Sequence, residues 1–266
     1  MITINSQLIA PEKSFNNAIV RLPCPEMIHG LTSSDQGIPD YQKALRQHLK
    51  YVETLKYCGL NVKILDYDDH FPDSTFIEDV AVCTKKCALI TSPGAPSRRG
   101  EIKGIRPILS IFFNDLEEIT VPGKLDGGDV MMVDDHFFIG VSRRTNDNGA
   151  DQLIYILKNY GYTGSKISLE KILHLKSGAS YLENDNLLVT GELIGRQEFA
   201  GLNRLVVPDY ESYAANSVWI NGKVIVPDGF PETRNQIEKA GYETIILDVS
   251  EFRKLDGGLS CLSLRF

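Results

Sequence analysis

The sequence has no long hydrophobic run, since nowhere do about 18 apolar residues follow one another as a membrane-spanning helix requires. Its first residues combine neither the basic segment nor the apolar core of a secretory signal peptide. Runs of basic residues are absent too, and 28 Lys and Arg against 35 Asp and Glu give a net charge of −7. We therefore expect a cytoplasmic protein that binds neither membrane nor nucleic acid.

Cysteine is scarce, and its spacing is irregular. An odd number of cysteines at such spacing argues against a disulfide framework and agrees with a reducing compartment. Cys83 and Cys87 are spaced like zinc ligands, but the residues around them indicate two strands of a hairpin, and no second Cys/His pair completes a tetrahedral site. The sequence predicts no metal there and leaves any other role of the pair open. The full set is Cys24, Cys58, Cys83, Cys87 and Cys261.

Glycine motifs that bind nucleotides are also missing. Neither Gly-x-Gly-x-x-Gly nor Gly-x4-Gly-Lys-Ser/Thr follows a predicted strand, so we expect no nucleotide and no organic cofactor. What is present is 42% apolar and 24% charged residues, the balance of an ordinary globular protein with ample core. No linker divides the chain, and the sequence therefore predicts one domain, residues 1–266.

Short apolar strands recur along the chain at intervals of about 40 to 50 residues, a period typical of repeats. Several lead through a polar loop into an amphipathic helix that is followed by a glycine. A doubly wound sheet would alternate strands and helices as well. The pattern favours one α/β domain of repeated strand-strand-helix-strand units. The four clearest strands are 88–91, 137–140, 187–190 and 224–227.

The clearest helix follows a long polar connection. Apolar residues at helical spacing predict a helix from Tyr41 to Leu55, with Gly59 just beyond its end. Residues 23–40 before it form a loop that is long for a compact domain, and such loops are often functional. Residues 30–34 are therefore a candidate flap, with a plain surface loop as the alternative.

The stretch 253–266 holds a cysteine in an unusual setting. Cys261 follows Gly257 and Gly258 and precedes an apolar alternation. Because glycine lets another group come close, we expect a strand that turns inward and presents the thiol to a site. The alternative is a small buried core residue, the usual role of a free cysteine.

Polar side chains interrupt apolar segments at four further places. Taken singly, each has an ordinary explanation, because charged residues near strand ends usually face water and a lone histidine is more often a hydrogen-bonded core residue. The four clusters are the acids Asp73, Glu78 and Asp79, the pair Asp126 and Asp129, the lone His174, and the arginines at 98–99 and 143–144.

In combination, a thiol, an imidazole, several carboxylates and separate arginines fit chemistry on a guanidino group. A guanidinium is planar and cationic, so carboxylates bind it, while attack on its central carbon needs a strong nucleophile such as a thiolate. A histidine can protonate the leaving amine and then activate water. Arginines suit an α-carboxylate at the other end of the substrate. The residues indicate a free amino acid that carries a guanidino group.

Six segments resemble, in the same order, the motifs of dimethylarginine dimethylaminohydrolases, and the bacterial members most closely. The resemblance runs from about residue 19 to residue 266. It implies a fivefold pseudosymmetric α/β propeller, the pentein fold, built of ββαβ repeats. It also implies that a cysteine nucleophile hydrolyses dimethylarginine, and the monomethyl compound, to citrulline through a covalent thiouronium. The segments are 71–80, 93–100, 125–130, 144–146, 173–176 and 256–261.

The resemblance also implies roles for individual residues. Cys261 corresponds to the nucleophile, His174 to the general acid and base, and Asp126 to the carboxylate that orients the histidine, where several bacterial relatives have glutamate. Leu262 stands where some vertebrate members have a second cysteine linked to inhibitory zinc, so no zinc is expected. Substrate contacts fall to Leu31 in the flap, the acids Asp73, Glu78 and Asp79, the carboxylate-binding arginines Arg98 and Arg144, and the backbone of Leu255.

The acids around the site affect the pKa of the Cys261 thiol. Carboxylates near an empty site raise a thiol's pKa, whereas a bound cation offsets them. We therefore expect Cys261 to be protonated in the free enzyme and to ionise as substrate binds.

Other functions are compatible with the same combination of thiol, imidazole, carboxylates and arginines. Hydrolysis of free arginine or of another N-substituted arginine, as in arginine deiminases, differs only in the pocket around the leaving amine. Transfer of the amidino group and a non-catalytic binding module are the remaining alternatives. The partner is expected to be a small guanidino amino acid, and the protein a monomer or a homodimer.

Overall fold

The computed structural model describes residues 14–266. The strands are β1 (Asn17–Arg21), β2 (Asn61–Leu65), β3 (Ala81–Cys83), β4 (Ala88–Ile90), β5 (Leu116–Glu118), β6 (Val130–Val133), β7 (His136–Val141), β8 (Thr163–Ser168), β9 (Ala179–Tyr181), β10 (Asn186–Val189), β11 (Asn203–Val206), β12 (Val218–Ile220), β13 (Lys223–Pro227), β14 (Glu243–Leu247) and β15 (Leu264–Arg265). The α-helices are α1 (Tyr41–Tyr57), α2 (Arg106–Leu109), α3 (Asp147–Asn159), α4 (Leu175–Gly178), α5 (Pro231–Lys239) and α6 (Ser250–Arg253).

These strands form five three-stranded sheets within the described residues. In each sheet the first strand pairs antiparallel with the second, and the second pairs in parallel with the third. A helical segment connects the second strand to the third, because parallel neighbours need a crossover. The predicted ββαβ repeat is confirmed, and so is the hairpin that contains Cys83, since β3 and β4 pair antiparallel.

One repeat is divided between distant parts of the chain. Strand β15 pairs antiparallel with β1, with Ile19 opposite Leu264, and β1 pairs in parallel with β2 after the crossover through α1. This pairing makes the ring of sheets continuous. The first strands contact one another, β15 with β3 and β9 with both β6 and β12. They line a central cavity of about 160 Å³ to which each contributes, for example through Ala81, Met131, Ser180, Trp219 and Leu264.

The helices begin and end where the sequence indicates. Asp40 precedes α1 and its side chain accepts the N–H of Lys43 at 2.8 Å, which satisfies a free donor of the first turn. Beyond the other end, Gly59 has φ +93°, a conformation that favours glycine. The helix is two residues longer than predicted. Helix α5 starts at Pro231, a residue that suits the first position of a helix because its missing N–H would have no partner there.

Each first strand is preceded by a short helical turn. These turns are Ile77–Val80 before β3, Gly127–Asp129 before β6, α4 before β9, Asp209–Ala215 before β12 and Ser260–Leu262 before β15. The first turn contacts both the second and the last, and α4 contacts the turns on either side of it. The five turns therefore form one layer at a single end of the ring.

The prediction that Cys261 lies on a strand is wrong. Cys261 lies in the turn Ser260–Leu262, and the strand that follows comprises only Leu264–Arg265. The turn forms because the N–H of Cys261 donates to the carbonyl of Gly258 at 3.2 Å instead of to a neighbouring strand.

The largest apolar cluster joins the repeat of β1 to that of β12–β14. Its centre includes Phe252, fully buried on α6, whose ring meets Phe76 edge-on at 6.2 Å between centroids. In the part of the chain that is described, no helix is long and apolar enough to cross a bilayer.

Replacing Phe252 by alanine tests this core. The lost ring leaves a cavity among well-packed neighbours, so we expect Phe252→Ala to lower the free energy of unfolding by about 3–5 kcal/mol. Urea unfolding followed by circular dichroism measures the change. The control Tyr155→Ala removes a ring that is 70% exposed on α3 and should change stability by less than about 0.5 kcal/mol. Equal effects of the two substitutions would refute the assignment of Phe252 to the core.

Candidate active site

The layer of turns brings together polar groups from separate repeats. Asp79 lies in the first turn, Asp126 immediately precedes the second, His174 immediately precedes α4, and Cys261 lies in the last. One ligand atom from each of Asp79, Asp126 and His174 lies within 4.8 Å of the others. Residues that are far apart in the sequence thus meet because each occupies an equivalent position in its repeat.

Asp126 and His174 form a buried pair. His174 Nε2 lies 3.0 Å from Asp126 Oδ2, and Asp126 Oδ1 accepts the N–H of Gly94 at 2.8 Å. The imidazole packs directly on Gly128, where a Cβ would lie 2.8 Å from Nδ1, so no larger residue fits there. The ring is held in one orientation by these two contacts.

Asp79 is the buried carboxylate on which several groups converge. Its Oδ1 accepts the N–H of Gly128 at 2.9 Å, and its Oδ2 accepts from Arg98. Burial by itself would raise its pKa, but His174, Arg98 and the Gly128 N–H outweigh burial and lower the pKa to about 2. Asp79 is therefore a permanent negative charge at the site.

His174 responds in the opposite direction. Burial lowers its pKa, but Asp79, Asp129 and Asp126 together outweigh burial and raise the pKa to about 9. The imidazole is therefore protonated at neutral pH in the free protein and can act as an acid.

Cys261 is a half-buried residue, and its thiol lies beside acids. Its sulfur accepts the N–H of Gly258 at 3.4 Å. Burial, together with Glu78 and Asp79, raises the pKa of the thiol to about 12. The protonated thiol that the sequence predicts for the free enzyme agrees with this value.

Glu78 braces the turn that carries the thiol. One of its oxygens accepts from Ser260 Oγ at 2.7 Å, and the other accepts from Lys176 Nζ at 2.6 Å and Arg265 Nη2 at 3.1 Å. Both oxygens thus have partners within the protein, and the contact of Glu78 with substrate that the resemblance implies stays a prediction. No local pattern links residue 78 to residue 260, so the bracing of the turn could not be foreseen.

Asn216 is a site residue that the sequence analysis missed. Its side chain accepts the N–H of Ser260 at 2.9 Å and donates to the carbonyl of Lys176 at 2.8 Å. It therefore ties the nucleophile turn to the helix that follows His174. No motif surrounds position 216, and its only signal is its place just before the first strand of a repeat.

The two predicted carboxylate-binding arginines differ in exposure. The side chain of Arg98 is 5% exposed and is committed to the carboxylates of Glu101 and Asp79 and to the carbonyl of Phe76. The side chain of Arg144 is 19% exposed, and its Nη1 lies 3.8 Å from Asp126 Oδ2. Arg144 is thus available to a ligand, whereas Arg98 in this conformation anchors Asp79.

Asp73 and Leu255 lie against the predicted flap, to which Leu31 belongs. The backbone N–H of Leu31 donates to Asp73 Oδ1 at 3.0 Å, and the side chain of Leu31 is 41% exposed. Asp73 is buried, which raises its pKa despite the opposing effect of Arg98. Leu255 is buried, so its backbone is what it offers to a ligand.

The flap is attached to the segment that leads to Cys261. Thr32 Oγ1 donates to the carbonyl of Lys254 at 2.8 Å, and Ser33 donates through its N–H to Asp256 at 2.6 Å. Leu31 is thus held over Asp73 by contacts on both sides.

Asp79, Asp126 and His174 are spaced like metal ligands within residues 14–266. Their facing atoms, however, already hold one another and the donors of Arg98, Gly128 and Gly94. The set therefore fits proton transfer better than coordination of a cation.

Comparison with known proteins gives a consistent result. A family model described as N,N dimethylarginine dimethylhydrolase, eukaryotic, matches residues 34–194. The dimethylarginine dimethylaminohydrolase of Pseudomonas aeruginosa is 50% identical over 95% of this chain and 100% of its own length. The Streptomyces coelicolor enzyme of the same name is 34% identical over 93% of this chain and 96% of its own.

The chain belongs to the dimethylarginine dimethylaminohydrolase family. A crystal structure of the Pseudomonas aeruginosa member, a cysteine-to-serine mutant in complex with citrulline, superposes with a TM-score of 0.95 at 49% identity and covers 96% of this chain and 100% of that one. The N-terminal domain of the cyanobacterial arginine dihydrolase ArgZ superposes with a TM-score of 0.82 at 18% identity, covers 95% and 97% of the two chains, and shows the shared pentein fold.

In this family member we expect His174 to titrate near pH 9, because three carboxylates favour its protonated form. Two-dimensional NMR of the imidazole resonances measures it, and His48, whose burial lowers its pKa to about 4, serves as an internal reference. Asp126→Asn removes one of the charges and should lower the pKa of His174. Titration of His174 at or below the ordinary 6.5 in the wild type would contradict the proposed charge balance.

Proposed function

We propose that the protein hydrolyses Nω,Nω-dimethyl-L-arginine, and Nω-monomethyl-L-arginine, to L-citrulline and the corresponding methylamine. Membership of the family and 50% identity to a curated enzyme over nearly the whole chain support this activity. The observation that carries the proposal is the meeting of the Cys261 thiol, the His174 imidazole and the Asp79 carboxylate in one layer of turns. Those groups supply a nucleophile, an acid and a binding site for a guanidinium.

The orientation of the substrate follows from the positions of the acids. Asp79 lies beside His174 and influences Cys261, so we assign it the guanidino end. Asp73 lies beneath the flap, so with the backbones of Leu31 and Leu255 it is assigned the α-amino group.

Arg144 is assigned the α-carboxylate, since a guanidinium can bind a carboxylate through two donors. In this scheme Arg98 and Glu78 act as positioning residues that hold Asp79 and the nucleophile turn, which revises the substrate contacts predicted for them.

The first half of the reaction uses the protonated imidazole. Substrate binding places a cation beside the thiol, and Cys261 loses its proton to solvent and attacks the guanidino carbon. His174 then donates its proton to the substituted nitrogen of the tetrahedral adduct. The carbon–nitrogen bond breaks, dimethylamine leaves, and a cationic thiouronium remains on Cys261.

The second half returns the enzyme to its starting state. The now neutral His174 takes a proton from water, whose oxygen adds to the thiouronium carbon. Collapse of this adduct breaks the carbon–sulfur bond, and the hydroxyl proton of the adduct passes to the Cys261 sulfur. The thiol is thereby restored, and the ureido carbonyl of citrulline is left. Asp126 keeps the imidazole in one orientation through both proton transfers.

We further propose one catalytic domain, residues 1–266, that acts as a monomer or a homodimer in the cytoplasm on a small molecule. Continuity of the five-sheet ring supports a single domain, and five free cysteines support a reducing compartment. The reaction as written uses only side chains of the chain and calls for no cofactor.

A substrate panel tests the activity. We expect citrulline release from dimethylarginine and monomethylarginine, with little from arginine or agmatine, and identification of the released amine distinguishes the substrates. Cys261→Ser should lose activity by at least about 1000-fold. The matched control Cys83→Ser alters a cysteine of β3 and should retain it. Faster release of ammonia from arginine than of dimethylamine from dimethylarginine would favour the arginine-hydrolase alternative.

Ionisation of the nucleophile is a separate expectation. Because the pKa of Cys261 is raised to about 12, the free enzyme should show no thiolate absorbance at neutral pH. Addition of a cationic, non-reacting arginine analogue should lower that pKa and produce the thiolate band. Cys261→Ser serves as the blank, and a strong thiolate band in the ligand-free wild type would refute the idea.

A further inference from the structure

Asp129 is a fully buried carboxylate to which neither the sequence analysis nor the reaction scheme gives a role. It closes the turn Gly127–Asp129, three residues beyond Asp126. Its Oδ1 accepts the backbone N–H of Leu175 at 3.0 Å, and its Oδ2 accepts from Ser142 Oγ at 2.7 Å. Both oxygens therefore hold segments that belong to other parts of the chain.

The first of these contacts acts next to the catalytic imidazole. Leu175 follows His174 directly and is the first residue of α4. The backbone at the imidazole is thus fixed by Asp129, while the ring itself is fixed by Asp126. Asp126, just before this turn, and Asp129, at its end, thus position His174 from two sides.

The second contact leads to the substrate-binding arginine. Ser142 Oγ, which donates to Asp129, accepts the N–H of Arg144 at 2.9 Å and the N–H of Thr145 at 3.1 Å. Thr145 Oγ1 in turn accepts the N–H of Asp126 at 3.1 Å. The loop that carries Arg144 is thereby joined through one hydroxyl to the same buried carboxylate.

We infer that Asp129 is a positioning residue that sets both the backbone at His174 and the loop at Arg144. The inference rests on the proposed function for its kinetic consequences but not for its structural ones. One buried carboxylate then fixes the positions of both the proton donor His174 and Arg144, which is assigned the substrate's carboxylate.

The charge of Asp129 acts on His174 as well. The charged groups around the imidazole are Asp79, Asp126 and Asp129, with Arg98 paired to the first and Arg144 near the second. Burial raises the pKa of Asp129 to about 6, against the opposing effect of His174, so Asp129 is ionised at neutral pH and above. Its negative charge is one of those that keep His174 protonated.

Asp129→Asn separates charge from shape. The asparagine oxygen can still accept from Leu175, but the negative charge is lost and the amide disturbs the bond from Ser142. We expect kcat for dimethylarginine to fall by about 10- to 100-fold and KM to rise. In the NMR titration the pKa of His174 should fall by about one unit, which a purely structural loss would not produce.

Ser142→Ala isolates the second branch. It leaves the N–H of Leu175 donating to Asp129. Loss of the Ser142 hydrogen bond raises the pKa of Asp129 above about 6, but near pH 9, where His174 titrates, Asp129 stays ionised. KM should therefore rise while the pKa of His174 stays at the wild-type value. A lowered pKa of His174 in Ser142→Ala would contradict the assignment of the two branches.

Glu211→Gln is the matched control. Glu211 is also a buried acid that holds the start of a helix, since it accepts from Thr233 at 2.7 Å and from the N–H of Glu232 at 3.1 Å, and none of these partners belongs to the site. The control should change stability without changing KM or the pKa of His174.

The inference fails if Asp129→Asn keeps the wild-type kinetic constants and the wild-type pKa of His174, or if Glu211→Gln reproduces its effects. Should Asp129→Asn not fold, Ser142→Ala decides, and an unchanged KM there overturns the proposal. The NMR arm needs no substrate. A lowered pKa of His174 in a protein that does not hydrolyse dimethylarginine would therefore refute the proposed function while the positioning role stands.

Discussion

The site depends on keeping the carboxylate of Asp79 ionised in a buried position. A lone buried charge is expensive, so it persists only where opposite charge and donors surround it. Arg98, the N–H of Gly128 and the imidazole of His174 supply them, each from a different segment. The same negative charge raises the pKa of the His174 imidazole and the pKa of the neighbouring Cys261 thiol, so both groups hold their protons.

Repetition of the ββαβ unit explains how these segments meet. Every unit places a helical turn immediately before its first strand, and the turns form a common layer. The polar side chains of the site lie in these turns or directly beside them. Asp79, Asp126, His174, Asn216 and Cys261 each belong to a different unit. The candidate site is therefore a consequence of the ring, and no two of these residues need be near in sequence.

Much of the fold could be predicted from local signals. Helix α1 follows from apolar spacing and from glycine beyond its end, strand β10 follows from a short apolar run, and both lie where expected. The turn at Cys261 could not be foreseen, because a single backbone bond to Gly258 replaces strand pairing there.

Site residues that lie in motifs could be predicted from the sequence, whereas contacts between residues far apart in the sequence could not. Motifs identify Asp126 and His174, but the partners of Glu78 are Lys176 and Ser260, about 100 and 180 residues away. Such pairings depend on the closed ring, and no spacing in the chain encodes them.

The repeat divided between β1 and β15 has a consequence for how the enzyme becomes active. Loop closure over such a sequence distance is slow relative to local folding. Cys261, the proposed nucleophile, lies three residues before β15. Because the turn Ser260–Leu262 leads directly into β15, we expect the thiol to take its place in the site only when β15 has paired with β1.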